Sequence, residues 1–288
     1  MIIRVADDPR RADNWSFVLE ALAIPHRVLD TAMGRAIVVD SLIAPKASAA
    51  LLESDREAAE AVVEEPPAPD SGPSSVGVAV ALGLVAFFFV TGPRGATPWF
   101  AAGSATAELI VHGAWWRAVT ALTLHADLAH VAGNAAALII FVSALGRWLG
   151  RGVAVSLVLL SGFAGNLLNA YAHGAHHNSI GASTAAFGAL GILGGLQFVR
   201  RYRFTARMDR RRRALTAIAA CLGLFAMLGV GERAEIDVLA HLAGLGCGLV
   251  IGAVAGWLIR RPVRPLLQWL LVAASAAVVA GCWWRALG

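Results

Sequence analysis

Seven long apolar runs restrict this chain more than any other feature of its sequence. They cover about residues 75–92, 127–146, 152–171, 182–199, 214–230, 237–259 and 265–284. Each is long enough, or nearly so, to cross about 30 Å of hydrocarbon, which takes about 20 apolar residues in a helix. The fifth is short and depends on its flanks. The apolar residues come as continuous runs rather than amphipathic stripes, and only 15% of the chain is charged, where a soluble domain has about a quarter. The class is therefore a polytopic, all-α membrane protein, preceded by a stretch of ordinary soluble composition.

Charge decides the expected orientation. The net charge is +5, and arginine supplies nearly all of the positive side chains. A basic balance of this kind can point to nucleic acid, but here the arginines cluster between apolar runs, so no nucleic-acid partner is expected. Arg147 and Arg151 separate runs two and three. RRYRFTARMDRRRR (Arg200–Arg213) separates runs four and five, and Arg260, Arg261 and Arg264 separate runs six and seven. Positive loops stay in the cytoplasm, and anionic lipid suits the 200–213 loop. The N-terminus is expected inside and the C-terminus outside, in a multi-pass cell (inner) membrane protein. Segments 96–126, 172–181 and 231–236 then lie on the outer side. The N-terminus is polar, with no secretory signal pattern. Cys221, Cys247 and Cys282 all lie inside apolar runs and read as small packing residues.

Residues 1–63 read as a small cytoplasmic α/β domain. Strands are expected at Ile2–Val5, His26–Leu29 and Ala36–Val39, with a turn at Met33-Gly34 and helices at Asp13–Leu22 and Ala47–Val63. That order suits a two-layer unit. A Pro-rich linker follows over 64–74.

The topology places several polar residues at one depth. Ser183 enters the membrane from the outer side at the start of run four. His241 lies about one turn inside run six, and His130 and Asn134 lie near the outer start of run two. Polar side chains at such a depth are costly and by default mark a functional site. A nucleophilic serine needs a base, and His241 is the only histidine in runs four to seven; a Ser-His pair suffices, a third orienting residue being common but not essential. Asp237, one turn above His241, sits nearer the water and is not counted as a third member. His130 and Asn134, four apart, share a helix face, and the Asn amide is a neutral donor for an oxyanion. The Ser183 N–H, in a first helical turn, is another. Gly244 and Gly248 follow His241 on its own face, and Gly188, Gly191, Gly194 and Gly195 clear a similar channel in run four. Small residues let helix backbones approach closely in lipid, which would bring Ser183 to His241. Phe187, one turn below Ser183, could stack on the imidazole.

These residues resemble the rhomboid intramembrane serine proteases over roughly residues 75–260. Gly181-Ala182-Ser183 with Gly188 is similar to the family's nucleophile motif. Ala240-His241 with Gly244 and Gly248 is similar to its Ala-His-x-x-Gly-x-x-x-Gly motif. His130 and Asn134, preceded by His125, resemble its helix-two pattern, and Trp116-Arg117 resembles the Trp-Arg pair of its long outer loop. The resemblance implies a bacterial-type member with a six-helix core over 75–260 and an additional C-terminal helix over 261–288. It implies substrates that are transmembrane proteins, with a small residue before the scissile bond. The N-terminal unit more loosely resembles the cytoplasmic domain of some bacterial members. One departure is Thr184, where the family usually has Gly.

Each feature has a plainer reading. A lone Ser at a helix start is most often an N-cap, and a lone intramembrane His is packing glue. His130 and Asn134 also make sense as a structural pair. His125 reads as a bond from the outer loop to helix two, and Arg117 as an anchor at the lipid interface beside the belt residues Trp115 and Trp116. His173, His176 and His177 could suggest a metal site, but they read as a polar loop because no carboxylate or cysteine joins them in the sequence. No metal or cofactor is expected. The combined pattern favours a serine endopeptidase cutting in or next to transmembrane segments. Its rivals are a non-proteolytic binder of transmembrane helices on the same fold, and a transporter, for which no inverted repeat appears.

Overall fold

The computed structural model describes residues 1–61, 74–174, 177–204, 210–228, 237–259 and 263–288. The expected linker from Glu64 to Pro73, His176, the 231–236 loop and Arg260–Arg261 lie outside the described residues. The chain divides into two compact units, one holding residues 1–61 and the other the helices from Val76 onward.

In the first unit, β1 (Ile2–Ala6), β2 (His26–Thr31) and β3 (Gly34–Val39) form an antiparallel sheet in the order β1-β3-β2. β2 and β3 are a hairpin whose last pair, Thr31 with Gly34, closes the turn at Met33-Gly34. Two helices, α1 (Pro9–Ala21) and α2 (Ala44–Ala61), complete the unit. Trp15, Leu19, Ile37 and Leu51 are buried in its core, and the Trp15 indole donates to Asp55 at 2.9 Å, tying α1 to α2. α1 begins one turn before its apolar periodicity does. The Asp8 carboxylate accepts from the Arg10 N–H, and Pro9 occupies the first turn, where a missing N–H costs nothing.

The second unit is helical. Its long helices are α3 (Val76–Thr91), α7 (Leu128–Leu149), α8 (Arg151–His173), α9 (Ser183–Phe204), α10 (Arg210–Leu228), α11 (Val238–Leu258) and α12 (Pro265–Leu287). Between α3 and α7 lie the short helices α4 (Trp99–Gly103), α5 (Ala107–Val111) and α6 (Arg117–Thr120). All seven apolar runs are thus helices. Among the described residues α7, α8, α11 and α12 are long and apolar enough to cross a membrane, and α3 is a shorter apolar helix. Leu82, Phe89, Ile140, Leu266 and Trp284 are exposed on the outside of the bundle, where a membrane protein meets lipid.

α9 differs in kind from the others. From Thr184 to Leu196 it is buried on nearly every side, because its small residues let neighbours close in. The backbones of α9 and α11 touch: a side-chain carbon at Gly248 would strike the Gly188 carbonyl, and one at Gly252 the Ile192 carbonyl. The reverse holds for Gly191 against the Leu245 carbonyl and for Gly195 against Leu249. Cys221 fits the same account of small packing residues, buried with its sulfur against Gly194.

α12 is stitched to the bundle through polar groups. The buried Gln268 side-chain oxygen accepts from the N–H groups of Gly152 and Val153 at 2.7 and 3.0 Å, and its amide donates to the Leu149 carbonyl at 2.9 Å. Gln268 thereby satisfies N–H groups in the first turn of α8, which have no partner within their own helix. Ser275 pairs with Ser156 at 2.9 Å.

Candidate active site

The loop leading into α9 is held from below and from the side. Residues Asn178–Ser179 (β5) pair with Ala105–Thr106 (β4). The Gly181 N–H donates to the Ala121 carbonyl at 2.9 Å, and the Ala182 N–H to His125 Nε2 at 3.4 Å. Gly181 sits at φ +111°, a conformation that glycine adopts without steric cost. A side chain there would also come within 2.7 Å of the His130 ring and 3.4 Å of the Asn134 amide nitrogen. Glycine is therefore required twice, once for its dihedral and once for space. Ser183 follows as the first residue of α9.

His130 and Asn134 lie on the first two turns of α7, whose N-terminus is capped by Asp127 accepting from the His130 N–H at 2.8 Å. Both face the loop before Ser183, as the Gly181 distances show. Asn134 is buried, and its amide nitrogen has no hydrogen-bond partner among the described residues. A buried donor left unspent is costly.

His241 is buried on the first turn of α11, below the Asp237 cap. Its ring lies against Phe187, with centroids 4.6 Å apart and planes tilted by 35°. One turn further along α11, Gly244 meets the Thr184 carbonyl, with no room between them for a side chain. Ser183 adjoins one partner of this contact and His241 lies one turn from the other. The α9–α11 seam thus brings both residues to the same end of the bundle. Thr184, the departure noted above, is accounted for by packing. It is buried, and its methyl lies in a notch between Gly165 of α8 and Gly244 of α11. The extra bulk is accommodated in the helix seam.

The structure places three features more closely. His125 is fully buried; it accepts from the Ala182 N–H at the entry of α9, and its ring packs edge-on against His130 of α7 at 5.2 Å. Burial, with the neighbouring His130 charge, pushes the His125 pKa down to about 4. Arg117 is half-buried. Its guanidinium donates to the carbonyls of Ser104 and Ala101, both at 3.0 Å, bracing the loop internally. The third is the histidine loop. Asp237 does join His173 and His177: its carboxylate lies 2.6 Å from His177 Nε2 and receives the Asn169 amide at 2.6 Å. Burial raises the Asp237 pKa, but the Ala240 N–H, His177 and Asn169 outweigh it and leave the carboxyl below its ordinary value.

Residues outside the sequence motifs also shape this end. Trp283 of α12 packs under Gly103 and donates to Thr123 at 3.1 Å, and Arg285 lies 4.3 Å over the Trp116 ring. Asn166 donates to the Ala118 carbonyl at 2.9 Å, fixing α6 to α8. Polar residues within an apolar run were the available signal for Asn166, Asn169 and Gln268.

These features define a polytopic helical membrane protein with a polar cluster at one end of a close-packed helix seam. Residues 112–258, just over half of the chain, match the Rhomboid domain. The chain belongs to the rhomboid family. It is 30% identical over 139 residues to YdcA of Bacillus subtilis, which carries the name of a candidate rhomboid protease; the match covers 48% of this chain and 66% of YdcA. It is 28% identical over 183 residues to the rhomboid protease GluP of the same organism, covering 62% of this chain and 34% of GluP. It is 32% identical over 171 residues to rhomboid-like protease 1 of Toxoplasma gondii, covering 59% of this chain and 56% of that protein. The chain thus spans about half the length of the curated relatives it matches.

Proposed function

We propose that this chain is an intramembrane serine endopeptidase that cuts peptide bonds in or next to transmembrane segments of other membrane proteins. The α9–α11 seam carries the reading: the Thr184 carbonyl rests on Gly244, and the His241 ring rests on Phe187. A nucleophile and a base belong at the polar end of such a seam. Membership of a family whose relatives bear protease names supports the same reading.

In this mechanism Ser183 attacks the scissile carbonyl while His241 takes its proton, and His241 then returns a proton to the leaving amine. The oxyanion receives hydrogen bonds from the Asn134 amide, the His130 ring and the Ser183 N–H. Asn134, buried with its donor unspent, suits that task. Substrate helices must unwind locally to present their backbone, so a Gly or Pro near the cut favours cleavage. In this reading the N-terminus is cytoplasmic, the C-terminus is outside and the site opens outward, as the positive-inside tendency of the arginine-rich loops favours.

The test is cleavage of a model transmembrane substrate, with fluorophosphonate labelling as a second readout. Wild type cleaves and labels. Ser183→Ala does neither, and His241→Ala loses at least about a thousandfold in rate. Undiminished cleavage by either variant refutes the dyad; absence of labelling in the folded wild type favours a non-proteolytic binder.

A further inference from the structure

We propose that His173, His177 and Asp237 form a binding site for a zinc-class divalent metal ion, at the same end of the bundle as Ser183. One donor atom from each residue lies within 4.8 Å of the others. Two imidazoles and a carboxylate are a borderline-soft set suited to zinc, leaving a fourth tetrahedral position for water. The same set is poor for magnesium, which prefers oxygen ligands in an octahedron.

The local chemistry prepares each ligand. His173 ends α8, and its Nδ1 lies 3.3 Å from the Asn169 carbonyl. A carbonyl only accepts, so Nδ1 carries the hydrogen and a neutral ring keeps its lone pair on Nε2, a common arrangement for a metal-ligating histidine. His173 is exposed, which gives an ion a way in. Its ring stacks on that of His177, with centroids 3.9 Å apart and planes within 10° of parallel; a ligated ion lies in the plane of each imidazole, so binding turns the exposed His173 ring out of this stack. His177 Nε2 and the Asp237 oxygen are 2.6 Å apart. Two lone pairs that close need a positive centre between them, either a proton or a metal ion. Metal binding would displace that proton to water and open the pair by less than an ångström. Asp237 Oδ1 accepts from the Ala240 N–H at 2.9 Å, and the Asn169 amide donates at 2.6 Å to Oδ2, the oxygen that faces His177. Such outer partners orient a ligating carboxylate. The negative end of α8 also favours a cation at His173.

The position gives binding a consequence. His177 belongs to the loop that feeds Ser183, and Asp237 caps the helix that carries His241. A bound ion would join the two segments on which the candidate nucleophile and base depend. Metal binding itself stands apart from the protease reading, and its test is separate.

The full-length chain, purified in detergent with a histidine-free tag and stripped by chelator, is titrated with zinc chloride by calorimetry and thermal unfolding. One ion binds per chain, and the unfolding temperature rises with zinc but not with magnesium chloride. His173→Ala, His177→Ala and Asp237→Asn each weaken binding by at least about tenfold and abolish the rise. Ser183→Ala binds zinc as wild type does, so loss of the protease reading leaves this result standing. His173→Ala removes an exposed ring and reports on binding even where the substitutions at half-buried His177 and Asp237 unfold the chain. No saturable binding, or binding unchanged in His173→Ala and either other folded variant, overturns the proposal.

Discussion

Asn134 is the residue from which the oxyanion proposal can be tested most directly. Its amide nitrogen is buried with no partner among the described residues. If it donates only to a developing oxyanion, Asn134→Ala lowers kcat by about a hundredfold and leaves KM nearly unchanged. Steady-state kinetics on a soluble-tagged transmembrane substrate checks this. Thr184 makes the opposite case. Its methyl fills the notch between Gly165 and Gly244. Thr184→Gly, which restores the usual family residue, is therefore expected to cost about 2 kcal/mol of stability through the cavity and the helix propensity of glycine. Thermal unfolding in detergent measures it. His125 supplies a pH dependence. Its folded pKa of about 4 lies below the ordinary 6.5, so the folded chain binds fewer protons than the unfolded one between these values. Its stabilisation is full above about pH 6.5 and is lost as pH falls toward 4, by about 3 kcal/mol in all. Unfolding temperature against pH shows the fall, and a His125→Asn chain shows a smaller one.

At the scale of elements, the α9–α11 contact and the α8–α12 contact have different chemistry. The first is backbone against backbone, so Gly248→Leu would force the Gly188 carbonyl away and separate the helices that carry Ser183 and His241. The second depends on Gln268 closing the first turn of α8. Gln268→Leu keeps the volume but leaves two buried N–H groups without a partner, at a cost of about 2 kcal/mol or more. The unfolding midpoint drops by roughly 4–8 °C, while fluorophosphonate labelling of Ser183 at low temperature persists. Which element packs where was partly legible. The glycine spacing of runs four and six announced a close seam, because glycines on one helix face have few other uses in lipid. The partner of Gln268 was not legible, because it lies more than a hundred residues away at the turn between α7 and α8.

For the whole molecule, alternating arginine loops predict an N-terminus inside and a C-terminus outside. Reporter fusions at residue 1 and residue 288 check this: alkaline phosphatase is active only at the C-terminal position. Membrane character, the number of long helices and the order of the motifs were all readable along the chain, because lipid imposes its length and hydropathy on each segment separately. What needed the tertiary structure were the contacts between segments distant in sequence. The family resemblance pointed to the loop of Gly181 and Ser183 as the candidate nucleophile loop, but only packing showed why Gly181 is glycine, with His125 bonded to Ala182 and Arg117 bonded to two carbonyls. The histidine loop makes the distinction plainly. Read locally it had no carboxylate, since Asp237 lies sixty residues from His177. Folding α8 against α11 supplied one. Solvation of single segments is a local property and is written in the sequence; the meeting of side chains from different helices is decided when the bundle closes.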